Sequence, residues 1–275
     1  MSVVVPTRNR AAYLEVALLS ILSQELDEPF EVIVVDDASS DQTVAIAQRL
    51  GARVIRQPRA QGPNPARNQG ISTARADLIA LVDDDVSAPA GWLRAMYEGS
   101  RRHPDVDVFG GPIRARFEGP APRSCGREEP PITTLDLGSH DHEVEAVWSA
   151  NMALRRATWE RVGPFPKDAG IGGDEEEWLV AVRGAGGRVV YLADALLEHR
   201  RAGDDARLRA LARAAYGRGR SLRAWDVRRG RPPSLSRELR VLGGCAWHAA
   251  VRACPQGVIM GAHSLGRTLE AIRPR

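Results

Sequence analysis

The chain is poor in several things that would fix its class. It has one lysine, Lys167, so nearly all of its positive charge is arginine, a balance that fits a GC-rich genome rather than a functional demand. It has three cysteines, Cys125, Cys245 and Cys254, without regular spacing. An odd, irregular set argues against a disulfide framework and fits a reducing compartment. No signal peptide is expected ahead of the first apolar segment. No run approaches the roughly 18 apolar residues of a membrane span. These absences lead us to expect a cytoplasmic protein, soluble or peripheral at the inner face of the membrane. There is no G-x-G-x-x-G after the first strand and no G-x-x-x-x-G-K-[ST] anywhere. A dinucleotide-dependent oxidoreductase and a P-loop NTPase therefore both lose ground.

What is present is a chain of 275 residues with a 43% hydrophobic fraction, enough for one large α/β domain and an appendage. Its net charge of +3 conceals an asymmetry. From Arg200 to Arg275 there are 17 arginines, no lysine and 5 acids, a balance of +12, which leaves about −9 on the first 199 residues. A basic tail on an acidic body is suited to an anionic partner, or simply to a solvated surface that pairs with the body.

The stretch Asp77–Val86 organises the rest. Leu78 to Val82 are apolar, the mark of a strand buried on both faces. Asp83, Asp84 and Asp85 follow. Read as a continuing strand, Asp83 and Asp85 point one way and Asp84 the other. Three adjacent carboxylates repel unless something positive sits among them, and hard oxygen ligands suit Mg²⁺ or Mn²⁺. The plainer alternative is capping of the following turn.

Ser2 to Pro6 and Glu31 to Val35 read as two further buried strands, which end in the polar sets Thr7–Arg10 and Asp36-Asp37. Helices are expected over 11–24, 42–50, 66–74 and 92–103, and strands over 52–56 and 106–111. Alternation of strand and helix implies a mostly parallel sheet, with ligands beyond the carboxyl ends of its strands. All three polar sets fall at such ends, which points to one shared site. Residues 118–145 lack periodicity and read as a loop over that site. Order is expected to resume at Ala146, with a short helix over 157–162. Asp174, Glu175, Glu176 and Glu177 open a helix to Gly184 with more acid than capping needs. A last clear strand covers 188–192, and a further apolar run ends at His199. Beyond Arg200 two helices are expected, one through Leu208, Leu211, Ala215 and Leu222, the other through Leu235, Leu239, Leu242 and Ala246.

In this order the motifs resemble those of the inverting nucleotide-sugar glycosyltransferases of family 2, whose fold is called GT-A. The resemblance rests on Val3-Val4-Val5-Pro6-Thr7-Arg8-Asn9-Arg10, Val34-Val35-Asp36-Asp37-Ala38-Ser39-Ser40-Asp41 and Gly62–Gly70. It continues through Asp83-Asp84-Asp85, Ala150–Arg155, Gly173-Asp174-Glu175 and Glu198-His199. It implies a GT-A (Rossmann-like), mostly parallel sheet flanked by helices over residues 1–200. The nucleotide-sugar half would be about 1–112 and the acceptor half about 113–200. Residues 201–275 would form an Arg-rich helical extension. The resemblance further implies roles. Pro6, Thr7, Arg8, Asp37, Arg67, Asp83 and Asp84 would bind the donor, with uridine favoured and thymidine and guanosine open. Asp85, with Asp83 and His199, would hold Mn²⁺ or Mg²⁺. Trp148 and Asn151 would border sugar and acceptor. The base would be Glu175, with Asp174 as second choice, because the family's Glu-Asp order is reversed here.

The chemistry stands without the resemblance. Transfer from a sugar diphosphate needs charge neutralised on the leaving group and a base on the opposite side of the anomeric carbon. The acceptor could be a glycan, a lipid-linked sugar, a peptide or a natural product. Competing readings are a sugar nucleotidyltransferase, disfavoured because Pro6 to Arg10 lacks glycine, and a silent nucleotide-sugar-binding scaffold. Nucleic acid is not an expected partner, because aromatic residues are few in the tail. The tail could pack on the body, form a homodimer contact or meet a membrane.

Overall fold

The protein is described by a computed structural model. It describes residues 1–119, 133–167 and 174–273, without the side chain of Asp174. Two compact units are present. The first comprises Met1–Ala115, Thr133–Lys167 and Asp174–Arg200, and the second the chain from Arg201 on, with residues 116–119.

The first unit opens with β1 (Ser2–Thr7), α1 (Ala11–Leu22), β2 (Glu31–Asp36), α2 (Thr43–Arg49), β3 (Arg53–Arg56), α3 (Pro63–Thr73) and β4 (Leu78–Val82). It continues with β5 (Val86–Ser87), α4 (Trp92–Arg102), β6 (Val108–Gly110), β7 (Ile113–Glu118), β8 (His142–Glu143) and β9 (Asn151–Arg155). It closes with α5 (Arg156–Val162), α6 (Asp174–Gly184), β10 (Val189–Tyr191) and β11 (Leu197–Ala202). The main sheet has eight strands in the order β3-β2-β1-β4-β9-β6-β10-β8. β3, β2, β1 and β4 are mutually parallel, as are β6 and β10. β9 runs antiparallel between β4 and β6, and β8 is antiparallel at the edge. The fold is therefore a mostly parallel α/β sheet.

Strand alternation sorts the core into two layers. Val3, Val5, Val32 and Val34 pack with Leu14, Leu18 and Ile21 of α1 and with Trp92 and Met96 of α4. Val4, Ile33 and Val35 face the other way, onto Ala66 and Ile71 of α3 and Trp178 and Leu179 of α6. Each strand is apolar on both faces because each face carries helices. Gly70 lets α3 lie close on the sheet, since a Cβ there would come 2.3 Å from Val4 Cγ1.

Several boundaries differ from expectation. α1 stops at Leu22 because Gln24 turns its amide onto the carbonyls of Ser20, Ala88 and Pro89. α3 starts at Pro63 rather than Ala66, with proline supplying the fixed φ of a first turn. Part of 118–145 is pinned rather than loose: Leu135 bridges Ile113, and β8 pairs with β10. Residues 120–132, and the expected Gly170–Gly173 approach to α6, lie outside the described residues.

The second unit holds a short 3-10 turn, Gly203–Ala206, then α7 (Leu208–Arg228), α8 (Leu235–Arg252) and α9 (Pro255–Ile272). Two helices were expected and three are found. α9 packs closely on α7: a Cβ on Gly219 would meet His263 O at 2.0 Å, and one on Gly266 would meet Tyr216 O at 2.2 Å. Arg267 ties the three helices together, reaching Asp226 at 2.7 Å and Glu238 at 2.8 Å. Among the described residues no helix is long and apolar enough to cross a membrane.

Candidate active site

The polar sets after β1, β2 and β4 meet at the carboxyl end of the parallel strands. Thr7 is registered against Asp36, and the two loops beyond are laced together. Asn9 N–H donates to Ser39 Oγ at 2.8 Å, and Ser40 N–H donates to Asn9 Oδ1 at 2.8 Å. Asn9 and Ala38 both take positive φ, 52° and 59°, which for alanine is a strained turn. Asp36 is fully buried and accepts from Ser39 N–H. Asp37 receives the N–H groups of Gln61 and Gly62 at 2.7 and 2.9 Å, so it fixes the loop that leads into α3.

Asp83, Asp84 and Asp85 do not extend β4 as a strand. They form the turn between β4 and β5, and that is what brings three carboxylates close. Strand alternation stops at Val82, and each aspartate finds its own direction. Asp83 faces α3, 3.1 Å from Arg67, which is itself buried and bonded to Asn64. Asp84 accepts from Thr7 Oγ1 at 2.7 Å and lies 3.1 Å from Arg10 Nε. Asp85 lies 2.8 Å from the Arg10 guanidinium and 2.9 Å from His199 Nε2.

His199 reaches this point through a strand pairing. β11 runs antiparallel to β5 with His199 opposite Val86, and Arg200 N–H donates to Asp85 O at 2.7 Å. Ligand atoms of Asp83, Asp85 and His199 lie within 4.8 Å of one another. Two carboxylates and an imidazole, with Asp85 and His199 buried, make a donor set suited to a divalent cation. His199 Nδ1 is buried without a hydrogen-bond partner among the described residues. Burial pushes the Asp84 carboxyl up to about 7; Asp85 and Asp83 push the same way, while Arg10 and the Thr7 hydroxyl favour its charged form.

The second half of the site follows from β9. Val82 is registered with Asn151, so residues 148–150 sit level with the aspartate turn. There Ser149, buried, donates from Oγ to Glu175 in the first turn of α6, making a short hydrogen bond. Glu175 is half-buried, and so is Trp148, which directly precedes Ser149 in sequence. Asn151 is fully enclosed: its amide donates to Pro112 O and Ala195 O at 2.9 and 2.8 Å and accepts from Trp92 Nε1 at 2.9 Å. It holds three segments in place and has no face toward solvent. Pro6 is buried inside β1, and Arg8 is exposed on the turn beyond. Asp174 opens α6, and its side chain lies outside the described residues.

Two participants escaped the sequence reading. Arg10 belongs to the P-T-R-N-R turn and could have been singled out as the cation nearest the aspartates. Ser149 carried no signal, because its place depends on the β4–β9 register.

Residues 2–163 match the family model described as glycosyl transferase family 2. The chain belongs to this family. It is 26% identical over 205 residues to the glycosyltransferase AglE of Haloferax volcanii, covering 71% of this chain and 65% of that one. It is 29% identical over 208 residues to the pre-mycofactocin glycosyltransferase of Mycobacterium tuberculosis, covering 72% of this chain and 42% of the relative. The chain thus spans less than two thirds of the length of either relative. A solved structure of the mannosyltransferase PcManGT from Pyrobaculum calidifontis, in complex with GDP-Man and Mn²⁺, superposes with a TM-score of 0.61 at 20% identity. It covers 99% of this chain and 76% of that one, a likeness of fold and of the GT-A class.

Proposed function

We propose that the protein transfers a sugar from a nucleoside-diphosphate donor to an acceptor hydroxyl by a divalent-metal-dependent single displacement with inversion. The observation that carries this reading is the meeting of Asp83, Asp85 and His199 at the end of β4, level with the Ser149–Glu175 pair set by β9. Asp83, Asp85 and His199 would hold Mn²⁺ or Mg²⁺, which when bound neutralises charge developing on the leaving diphosphate. Pro6, Thr7, Arg8, Asp37, Arg67 and Asp84 line the donor side. Asp37 acts there by shaping the loop before α3, and Thr7 by orienting Asp84. Glu175 takes the proton of the acceptor hydroxyl, and the Ser149 hydroxyl orients it. Asp174 is the second candidate for the base. Trp148 borders the acceptor, and Asn151 supports that wall from behind. One base and one displacement give inversion. The donor base favoured is uridine, and the acceptor is a hydroxyl on a glycan, lipid-linked sugar, peptide or natural product.

The test is thermal stabilisation by UDP, dTDP and GDP, each with and without Mn²⁺. A ligand that binds the folded chain raises its melting temperature by mass action. A metal-dependent shift for one nucleotide, lost in Asp85→Ala, supports the reading and names the base. A well-folded sample that no nucleotide shifts would overturn it.

A further inference from the structure

The hairpin of α8 and α9 carries an apolar face that nothing among the described residues covers. On α9, Val258, Ala262, Leu265, Leu269 and Ile272 follow one another in steps of four and three, so they share one side of the helix. Val258, Leu265, Leu269 and Ile272 are 40–57% exposed. On α8, Leu235, Leu239, Ala246 and Ala250 form a similar exposed line, with Trp247 beside it at 54% exposure.

The two lines fall on the same side of the hairpin. α8 meets α9 through Ala249 against Gly257, Cys245 near Gly261 and Glu238 against Arg267. The numbers descend on one helix as they rise on the other, so the helices are antiparallel. At about 100° per residue, each exposed line lies roughly a quarter turn from its helix's contact residues, in the same rotational sense. In an antiparallel pair, equal rotations of one sense bring both lines to one face. The face is therefore continuous across two helices of 18 residues each.

Charge chooses the occupant. From Arg201 to Arg275 there are 16 arginines, no lysine and 5 acids. Four of those acids are already engaged: Asp204 with Arg207, Asp226 and Glu238 with Arg267, and Glu270 with Arg220. The stretch therefore keeps a large excess of arginine over acid, whatever its pairing. Exposed Arg240 and Arg273 border the apolar face. A second copy of the same face would bring like charges together. A bilayer surface with anionic headgroups offers the opposite charge together with an apolar layer just beneath it. A tryptophan at the rim suits the same boundary.

We propose that the α8–α9 face docks on an anionic membrane surface, with Leu239, Trp247, Leu265 and Leu269 entering the boundary between headgroups and acyl chains. This inference does not rest on the catalytic reading. The full chain should float with phosphatidylcholine vesicles containing about 30% phosphatidylglycerol at low salt, and should stay behind with phosphatidylcholine alone. Leu239→Asp combined with Leu269→Asp should reduce the bound fraction at least about tenfold, with its circular-dichroism melt unchanged. Tryptophan emission of the native chain should shift to the blue on anionic vesicles, and the shift should vanish in Trp247→Phe. Three results would overturn the proposal: no flotation of the native chain at low salt, equal flotation of the double variant, or a concentration-dependent dimer in sedimentation that the double variant abolishes while no vesicle is bound.

Discussion

Arg10 and Asp85 are 2.8 Å apart, so the carboxylate best placed to hold a cation already faces one from its own chain. Arg10 also stands 3.1 Å from Asp84 and stacks 4.4 Å from the centre of the Tyr13 ring. Asp84 and Asp85 are 9% and 6% exposed at the side chain and Arg10 is 35% exposed, so removing the guanidinium takes a shared cation from two buried carboxylates, which keep Thr7 and His199 beside them. A bound divalent cation and Arg10 would act on the same charge.

The first prediction follows. Arg10→Gln should lower stability without metal by about 1–2 kcal/mol, less than the roughly 3–5 kcal/mol for breaking a fully buried pair because Arg10 is partly solvated. Added Mn²⁺ should recover more of the melting temperature in the variant than in the native chain, because the competing charge is gone. Differential scanning fluorimetry with and without Mn²⁺ measures both. Equal metal-induced shifts in the two proteins would show that Arg10 and the metal site are independent.

The second prediction concerns the Ser149–Glu175 pair. Glu175→Gln should cut transfer by about 10²–10⁴-fold, the range for a lost general base, with the nucleotide-induced shift kept. Ser149→Ala removes only the bond that orients the carboxylate. It should lower kcat by about tenfold or more, the scale of a hydrogen bond to a charged group, and leave donor KM near its native value. The pH–rate profile of Ser149→Ala should move as well, because the hydroxyl favours the charged carboxylate. Full activity in Glu175→Gln would pass the role of base to Asp174.

Much of this site is legible in the sequence because its parts end strands. An apolar run and a polar stop are visible in one dimension, and the stops of β1, β2 and β4 converge in any parallel sheet. The aspartate triplet shows the limit of that logic. Alternation along a strand placed Asp84 opposite Asp83 and Asp85, yet these residues form a turn, so their directions come from Thr7, Arg10, Arg67 and His199 instead. The antiparallel insertion of β9 was not readable, because a strand's direction depends on how the chain crosses the sheet. Ser149 was missed with it. The third helix of the tail was missed although Pro255 stands at its start and the four-three spacing runs through it.

The third prediction tests close packing behind the site. A Cβ on Gly111 would come 2.0 Å from Ala195 O, the same carbonyl that accepts from Asn151. Backbone cannot yield as a side-chain tip can, so Gly111→Ala should cost about 2–4 kcal/mol. Asn151→Ala should cost a similar amount by leaving the Ala195 carbonyl and the Trp92 N–H without their side-chain partner, while the Pro112 carbonyl keeps only the Leu197 N–H. Because both changes strain one carbonyl, the double variant should lose less than the sum. Urea titrations of the four proteins give the comparison, and strict additivity would show that the two contacts act separately.

The last prediction sets a pH dependence. Asp107 precedes β6 and gathers the chain around it: Thr158 Oγ1 donates at 2.7 Å, Arg188 N–H at 2.9 Å, and Arg161 pairs with it at short range. Burial alone would raise its carboxyl, but these donors and the Arg161 charge more than offset that and hold it below the usual carboxylate range. A folded-state value below the unfolded one means that the unfolded chain binds the proton more readily. The contribution of Asp107 is then fully present above the ordinary aspartate value of about 4 and is lost as pH falls below it, through the lower folded-state value. Asp107→Asn should lower stability at pH 7 by about 1–2 kcal/mol, the loss of a charged acceptor among several donors. Its disadvantage against the native chain should shrink below pH about 4, where the native carboxyl also becomes neutral. Chemical denaturation at pH 7, 5 and 3 measures the gap. A gap that stays constant across that range would mean that Asp107 stabilises the fold by shape and hydrogen bonding alone, with its charge of no consequence.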